Sequence, residues 1–171
     1  MSRQGLRLER LTEAHGPGEF ACGHPALDGW LLRHAQAAQY MHSARTFVIV
    51  EGSRLVGYFS LTMTSVLRRD APARLVRGLP GYPVGAVLLA RLAVNRADQG
   101  HGIGALLLAE ALRKAVAAGE PAAARLVIVD AIDDEVAAFY RHHGFVLAPE
   151  HPLRLYRHLK DIQISLDRGD Q

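Results

Sequence analysis

An almost continuous apolar run from Val87 to Val94 is followed within a few residues by a stretch rich in glycine. The run is too short for a typical helix, so it predicts a buried strand. Beyond the glycines, from Ala105 to Val116, apolar residues recur at helical spacing and charged residues cluster on another face. The pattern therefore predicts a strand, a glycine turn and a helix in succession.

The same periodicities predict the other elements of a mixed α/β chain. Alternating, β-branched or apolar positions predict strands in 6–11, 46–50, 55–66, 125–129 and 153–159, and another from Phe145. Apolar residues at helical spacing follow Pro25 and follow Asp133 or Asp134, which predicts two more helices. Residues 68–85, rich in proline and glycine, predict a long connection without a strand.

Length and composition favour one folded domain, residues 1–171. Hydrophobic residues make up 49% of the chain and charged residues 22%, as in folded soluble proteins. No apolar run approaches the roughly 18 residues of a membrane span and no signal-peptide core is present, so we expect a cytoplasmic protein without a membrane anchor. The single cysteine, Cys22, suits a reducing compartment, and packing is its more common role than nucleophilic catalysis.

The net charge of +3 permits contact with nucleic acid or another polyanion. It does not require such a partner, since a scattered surplus of arginine is usually a solvated surface. His34 and His42 have no cysteine or acidic residue at metal-ligand spacing, so packing or surface roles are expected for them and no metal site is expected.

The turn Gln99–Gly104 contains three glycines, which let the backbone approach a ligand while the N–H groups of the first helical turn point at an anion. It is not a P-loop, because no Gly-Lys-Ser or Gly-Lys-Thr follows. Gly100, Gly102 and Ala105 satisfy the loose dinucleotide pattern G-x-G-x-x-A, but that fingerprint needs an acidic residue ending a second strand. Glu120 lies instead in a predicted turn, which disfavours dinucleotide binding.

Two motifs resemble those of the GNAT acetyltransferase superfamily. The turn Gln99–Gly104 reads Q-x-x-G-x-G and resembles the acetyl-CoA signature Q/R-x-x-G-x-G/A. The segment Asp134–Phe145 resembles the late helix of that superfamily, which ends in a Phe-Tyr pair, a few residues and a Gly-Phe pair. The element order is also that of a GNAT domain, in which helices flank both faces of a central mixed sheet. The resemblance implies an acetyl-CoA-dependent N-acetyltransferase.

Further segments resemble one branch, the GNAT toxins of bacterial toxin–antitoxin pairs. They are residues 23–31, 44–48, 57–61, 89–94 and 139–145. The resemblance implies a toxin that acetylates the α-amine of aminoacyl-tRNA and so blocks translation, with a ribbon-helix-helix antitoxin as partner and a homodimer as assembly. Asn95 replaces an aspartate usual in this branch, and Asp133 and Val136 replace the Asn and Ala of many GNAT enzymes. These departures weaken the expectation of a pantetheine contact from residue 133.

The resemblance assigns the cofactor contacts by position. The pyrophosphate of acetyl-CoA is expected at the turn, at Gln99, Gly100, His101, Gly102, Ile103 and Gly104. The pantetheine arm is expected along the strand, at Leu92, Ala93 and Val94.

Tyr140 matches the tyrosine that donates a proton to the leaving thiolate, although the pattern alone favours a core aromatic. Arg77, Arg91 and Arg141 are candidates for contacts with tRNA phosphates, and each also fits an ordinary surface or ion-paired arginine. No general base is evident. A lysine amine, with a pKa of about 10.4, depends more on a general base than an α-amine does, because the α-amine has a pKa of about 7.7–8.0 and is already partly unprotonated. The absence of an evident base therefore weakly favours aminoacyl-tRNA as substrate.

Two alternatives remain open from the sequence. One is a GNAT enzyme that acetylates a small-molecule amine or a protein N-terminus. The other is a non-catalytic CoA-binding regulatory module, which the intact glycine turn and Tyr140 disfavour.

Overall fold

The computed structural model describes residues 4–169, so residues 1–3 and 170–171 of the predicted domain lie outside it. The described elements, joined by loops and two short 3-10 turns, are β1 (Leu6–Arg10), α1 (Pro25–Arg33), α2 (Ala35–Tyr40), β2 (Arg45–Glu51), β3 (Arg54–Val66), α3 (Ala73–Val76), β4 (Val84–Val94), α4 (Ile103–Gly119), β5 (Leu126–Asp130), α5 (Asp134–His142), β6 (Val146–Leu147), β7 (Arg154–His158) and α6 (Leu159–Gly169). None of these helices is long and apolar enough to cross a membrane.

The strands form one sheet with the order β1-β2-β3-β4-β5-β7-β6. Pairing is antiparallel between β1 and β2, β2 and β3, β5 and β7, and β6 and β7. By contrast, β4 and β5 are parallel, and α4 provides the crossover that a parallel pair needs. The predicted mixed sheet flanked by helices is therefore confirmed.

The first of two compact units comprises the chain up to Thr62 together with Ala90–Ala111. Its core contains Leu11, Cys22, Leu31, Ala35, Val48, Val50, Leu55, Tyr58 and Ala93. Tyr58 is fully buried, and its hydroxyl donates a hydrogen bond to the Leu27 carbonyl at 2.7 Å. The ring therefore contributes its apolar area without leaving a buried donor unpaired.

The second unit comprises Met63–Leu89 together with the chain from Leu112. Its core contains Val66, Ala71, Leu75, Val76, Val84, Ala86, Leu126, Ile128, Ala148 and Tyr156. Arg125 Nε donates to the Leu75 carbonyl at 2.9 Å, and the Tyr156 hydroxyl donates to the Asp70 carbonyl at 3.3 Å. These bonds attach the long β3–β4 connection to β7 and to Arg125, the residue before β5.

The predicted end of this connection and the predicted start of the next strand are both wrong. Residues 68–85 were expected to hold no strand, yet β4 begins at Val84, because Val84 and Ala86 are buried and Ala86 pairs with Leu126. The connection also contains the short helix α3, whose Leu75 is buried in the core of the second unit. Proline and glycine content marked the connection but gave no indication of this packing.

The first predicted helix and the C-terminal segment also differ from the prediction. The helix expected after Pro25 is broken at His34, which has φ −125° and ψ −25° between α1 and α2. The last strand ends at His158, and the unpredicted helix α6 follows it. Helix α6 buries only Leu159 and Ile162, while Ile164 is exposed and most of its other residues are polar, so its buried apolar pattern is short.

A strand glycine offers a test of packing in the first unit. A Cβ added at Gly57 would lie 2.6 Å from Leu107 Cδ1 and 2.9 Å from the backbone oxygen of Ala93. We expect Gly57→Ala to lower the free energy of unfolding by about 1–3 kcal/mol, as overpacking does. Gly85→Ala is the control, because its Cβ would meet neighbours no nearer than 3.6 Å. Urea unfolding should separate the two variants, and equal stabilities would contradict the packing described here.

Candidate acetyl-CoA site

The glycine turn joins the end of β4 to the start of α4. Gly100 and Gly102 have φ of 81° and 79°, a region that side chains with a Cβ rarely adopt. The Gly102 carbonyl accepts a hydrogen bond from Leu106 N at 3.2 Å, which marks it as the residue capping α4. Within residues 4–169, no acceptor pairs with the first-turn N–H groups of Ile103 and Gly104. The turn therefore presents free donors, at the positive end of a 17-residue helix, to an anion.

Gln99 fastens this turn with its side chain. Its Nε2 donates to the carbonyl oxygens of Cys22 at 2.7 Å and Val94 at 2.9 Å. Its backbone N–H donates to the Arg96 carbonyl at 3.3 Å. The N–H donors of Gln99 are thus used within the chain, whereas His101 beyond it is exposed. The Gln99 side chain therefore holds the loop, and the cofactor contact expected at Gln99 stays a prediction.

An ion pair that the sequence did not reveal lies directly before Gln99. Asp98 is 3% exposed, and the Arg54 guanidinium binds its carboxylate through Nη1–Oδ2 at 2.6 Å and Nη2–Oδ1 at 3.0 Å. The hydrogen bonds from Arg54 hold the pKa of the Asp98 carboxyl below its usual range. The two residues are 44 positions apart, and no motif links them.

The end of β4 extends beyond its parallel neighbour. Pairing with β5 runs from Ala86 opposite Leu126 to Leu89 opposite Val129 and ends there. The strand itself continues to Val94. Leu92 and Val94, where the pantetheine contacts are predicted, therefore lie beyond the part of β4 that pairs with β5.

Tyr140 lies on α5 and is held by aromatic neighbours. It is 5% exposed, and its ring packs edge-on against Phe139 at 5.3 Å and Phe145 at 5.5 Å between centroids. Burial raises the pKa of its hydroxyl well above the usual value, so the group is protonated at neutral pH.

The Tyr140 hydroxyl has no hydrogen-bond partner among residues 4–169. No buried side-chain oxygen or nitrogen in that range lacks a partner. The hydroxyl is therefore not fully enclosed, and it has no partner in this part of the chain, so it is able to donate to a bound group. The core-aromatic and proton-donor interpretations are compatible here, because the ring is packed while the oxygen is unpartnered.

Neighbouring groups on α5 have separate roles. Asp133 caps the helix, since its Oδ1 accepts a hydrogen bond from Val136 N at 2.8 Å. The capping bond accounts for Asp133 without a cofactor contact. Burial, followed by the nearby His142 and Arg157, lowers the pKa of His143, so its imidazole is neutral at pH 7. His143 is thus chemically able to accept a proton, a property that the sequence did not indicate.

The three candidate arginines differ in their surroundings. Arg77 and Arg141 are exposed and have no hydrogen-bond or ion-pair partner in the described part of the chain. The Arg91 guanidinium carbon lies 4.0 Å from the centre of the Trp30 ring. Burial lowers the pKa of Arg91. Arg91 thus packs on an aromatic ring, whereas Arg77 and Arg141 are the two freely presented cations of the set.

A cavity of about 550 Å³ lies in the second unit. It is lined by Leu67, Arg68, Arg69, Ala71, Ala73, Val76, Gly81 and Pro149. Arg68 is held by a hydrogen bond from its Nη1 to the Leu79 carbonyl at 2.5 Å. The β3–β4 connection thus supplies a partly apolar concavity with two arginines.

The remaining chemically active side chains have other functions. Burial raises the pKa of the Cys22 thiol to about 11, which keeps it protonated and argues against a nucleophilic role. His42 Nδ1 is bonded to Arg45 Nη2 at 2.6 Å. Between residues 4 and 169, no group of three or more His, Cys, Asp or Glu is placed to hold a metal ion.

Comparison with known proteins places the chain in a family. The model of the acetyltransferase (GNAT) domain matches residues 42–147, which include the glycine turn and Tyr140. A tRNA-acetylating toxin of Mycobacterium tuberculosis is 39% identical over 152 residues, 89% of this chain and 91% of that protein. The structure of AtaT complexed with acetyl-methionyl-tRNAfMet has a TM-score of 0.86 and 26% identity, covering 94% of this chain and 98% of that one. The structure of AtaTR bound with AcCoA has a TM-score of 0.83 and 26% identity, and it covers 94% of this chain and 98% of that one. The chain belongs to the GNAT acetyltransferase family.

Proposed function

We propose that this GNAT enzyme transfers the acetyl group of acetyl-CoA to the α-amine of aminoacyl-tRNA, and that it thereby acts as a translation-blocking toxin. The observation that carries the proposal is the strand, turn and helix at 84–119, with free N–H groups after two glycines of positive φ. The similarity to a tRNA-acetylating toxin over 89% of the chain supports the choice of substrate. So does the likeness to AtaT, which was solved with acetyl-methionyl-tRNA.

The turn fits the pyrophosphate of acetyl-CoA. Between Gly100 and Gly104 only His101 and Ile103 have side chains, and that of Ile103 is buried. Little therefore shields the backbone of the turn from a ligand. Donors fixed by the fold need no reordering when an anion binds, which favours affinity. The backbone of Leu92 and Val94 would pair with the amides of the pantetheine arm in a strand-like manner.

Tyr140 would assist the chemical step as a general acid. The amine nitrogen attacks the thioester carbonyl carbon, the new C–N bond forms and the C–S bond breaks. The Tyr140 hydroxyl donates its proton to the departing sulfur, and the amine loses a proton to water or to a basic side chain. Burial raises the pKa of Tyr140, so the hydroxyl carries its proton at neutral pH and can donate a hydrogen bond to the sulfur as negative charge develops on it.

The proposal extends to assembly and location. We propose that residues 1–171 act as one GNAT domain, because β3, β4 and α4 each contribute residues to both compact units. By resemblance to the toxin branch, the partner would be a ribbon-helix-helix antitoxin, the assembly a homodimer and the compartment the cytoplasm. A short neighbouring reading frame that encodes a ribbon-helix-helix protein would support the partner.

Contacts with tRNA phosphates predict a salt-dependent reaction. We expect Arg77→Ala/Arg141→Ala to weaken the use of charged tRNA and to flatten its salt dependence, because fewer counterions are released per complex. For each phosphate that is no longer bound, the slope of log affinity against log salt concentration should become shallower by about 0.7–0.9. Arg91 is left in place because its removal would uncover Trp30.

The control, Arg33→Ala/Arg168→Ala, makes the same charge change at two exposed arginines elsewhere in the chain, on α1 and α6. Acetylation of charged tRNA is measured at several salt concentrations for wild type and both variants. Identical steep slopes in all three would place the basic surface elsewhere. If the wild type ignores charged tRNA and acetylates a free small amine well, the small-amine alternative replaces the toxin proposal.

A further inference from the structure

The Arg54–Asp98 ion pair lies at the base of the glycine turn, and the function proposed above gives it no role. Asp98 immediately precedes Gln99, and its backbone N–H closes the preceding 3-10 turn on the Asn95 carbonyl at 2.9 Å. Arg54 is the first residue of β3. The pair therefore connects the turn to the β2–β3 hairpin through two charge-assisted hydrogen bonds, a strong and geometrically specific arrangement.

Asn95 extends the same network. Its Nδ2 donates to Asp98 Oδ2 at 3.3 Å, and its Oδ1 accepts a hydrogen bond from Ala21 N at 3.2 Å. Its backbone N–H donates to the Val56 carbonyl at 2.8 Å. Asp98 is thus bonded to Arg54 at the start of β3 and to Asn95, and Asn95 in turn is bonded to Val56 of β3 and to Ala21.

The charge of Asp98 is unfavourable for the use of the turn unless it is neutralised. A carboxylate two residues before Gly100 would repel a pyrophosphate at the free N–H groups beyond it. It is also buried, so little water screens it, and an unpaired charge there is costly. The Arg54 guanidinium supplies the opposite charge at 2.6 Å.

We propose that Arg54 is a positioning residue for acetyl-CoA: through Asp98 it fixes the glycine turn and neutralises the carboxylate beside the pyrophosphate site. The inference rests on the proposed binding of acetyl-CoA at this turn. It assigns to the β2–β3 hairpin, which is remote from the turn in sequence, control over the affinity for the acetyl donor.

The test compares CoA dissociation constants from calorimetry with the melting temperature of each variant. Arg54→Met keeps the aliphatic part of the side chain and leaves the Asp98 carboxylate without its cationic partner, so the affinity for CoA should fall about tenfold or more. Arg54→Lys keeps one charge without the bidentate pairing, and affinity should fall about threefold. Arg54→Met/Asp98→Asn removes the stranded charge and should return affinity to within about threefold of wild type. Glu51→Gln is the matched control, because it removes the other, exposed partner of Arg54 and leaves Asp98 paired.

Rescue in the double variant, which also lacks the bidentate pair, reports the neutralisation of the Asp98 charge, and the smaller loss in Arg54→Lys reports the fixing of the turn. A purely structural role would be impaired further in the double variant. With saturating acetyl-CoA, turnover of each folded variant should match wild type, so the defect appears in KM alone. The inference is overturned if Arg54→Lys binds CoA as Glu51→Gln does, or if the double variant binds no better than Arg54→Met. Should Arg54→Met fail to fold, Arg54→Lys and the double variant still decide the question. Absence of CoA binding by the wild type would instead refute the proposed function.

Discussion

Tyr140→Phe should reduce the turnover number by about 100-fold or more while CoA binds as it does to wild type. The hydroxyl makes no hydrogen bond within residues 4–169, so its removal should leave the free energy of unfolding unchanged. The ring remains packed against Phe139 and Phe145. Steady-state kinetics, CoA calorimetry and urea unfolding of the same preparation check the three parts of this expectation.

Tyr156→Phe is the matched control for that variant. Its hydroxyl donates to the Asp70 carbonyl at 3.3 Å, so its loss should cost about 1 kcal/mol of stability and leave turnover within about twofold. Tyr140→Phe should thus lower turnover without changing stability, and Tyr156→Phe should lower stability without changing turnover. Wild-type turnover in Tyr140→Phe, with chemistry shown to be rate-limiting, would reassign Tyr140 to packing.

The second large effect is expected at the glycine turn. Gly102→Glu adds a side chain and a negative charge where the pyrophosphate would lie, and acetyl-CoA affinity should fall tenfold or more, about 1.4 kcal/mol. The variant also incurs backbone strain, because Gly102 has φ 79°. Gly78→Glu reproduces that strain at φ 80° and in open space. If calorimetry finds the same affinity in both folded variants, the turn does not bind the cofactor.

The sequence identified the elements of the fold that carry a strong periodic pattern. The run Val87–Val94 and the helix after the glycines are present because each buries a continuous apolar face. Helix α6 was not predicted because only a short stripe, including Leu159 and Ile162, is buried. The short helix α3 depends on packing partners far away in the chain, which local patterns do not reveal.

For the candidate site, motifs located the turn and Tyr140 but not the groups that hold them. The motif predicts Gln99 at the cofactor site, and it gave no indication that the Gln99 side chain would be bonded to two backbone carbonyls. The Arg54–Asp98 pair joins residues that no spacing rule connects, because only folding of the β2–β3 hairpin brings them together. Such long-range contacts form only in the folded chain, whereas a turn and the helix after it are encoded by adjacent residues.

The most direct test of the account is transfer of labelled acetyl from acetyl-CoA to charged tRNA. We expect label on the α-amine of the esterified amino acid, and the label should be released with that amino acid when the ester is hydrolysed. Deacylated tRNA should remain unlabelled, and Tyr140→Phe should label charged tRNA about 100-fold more slowly. Absence of label on any charged tRNA, with rapid acetylation of a free amine or a peptide N-terminus in the same preparation, would contradict it.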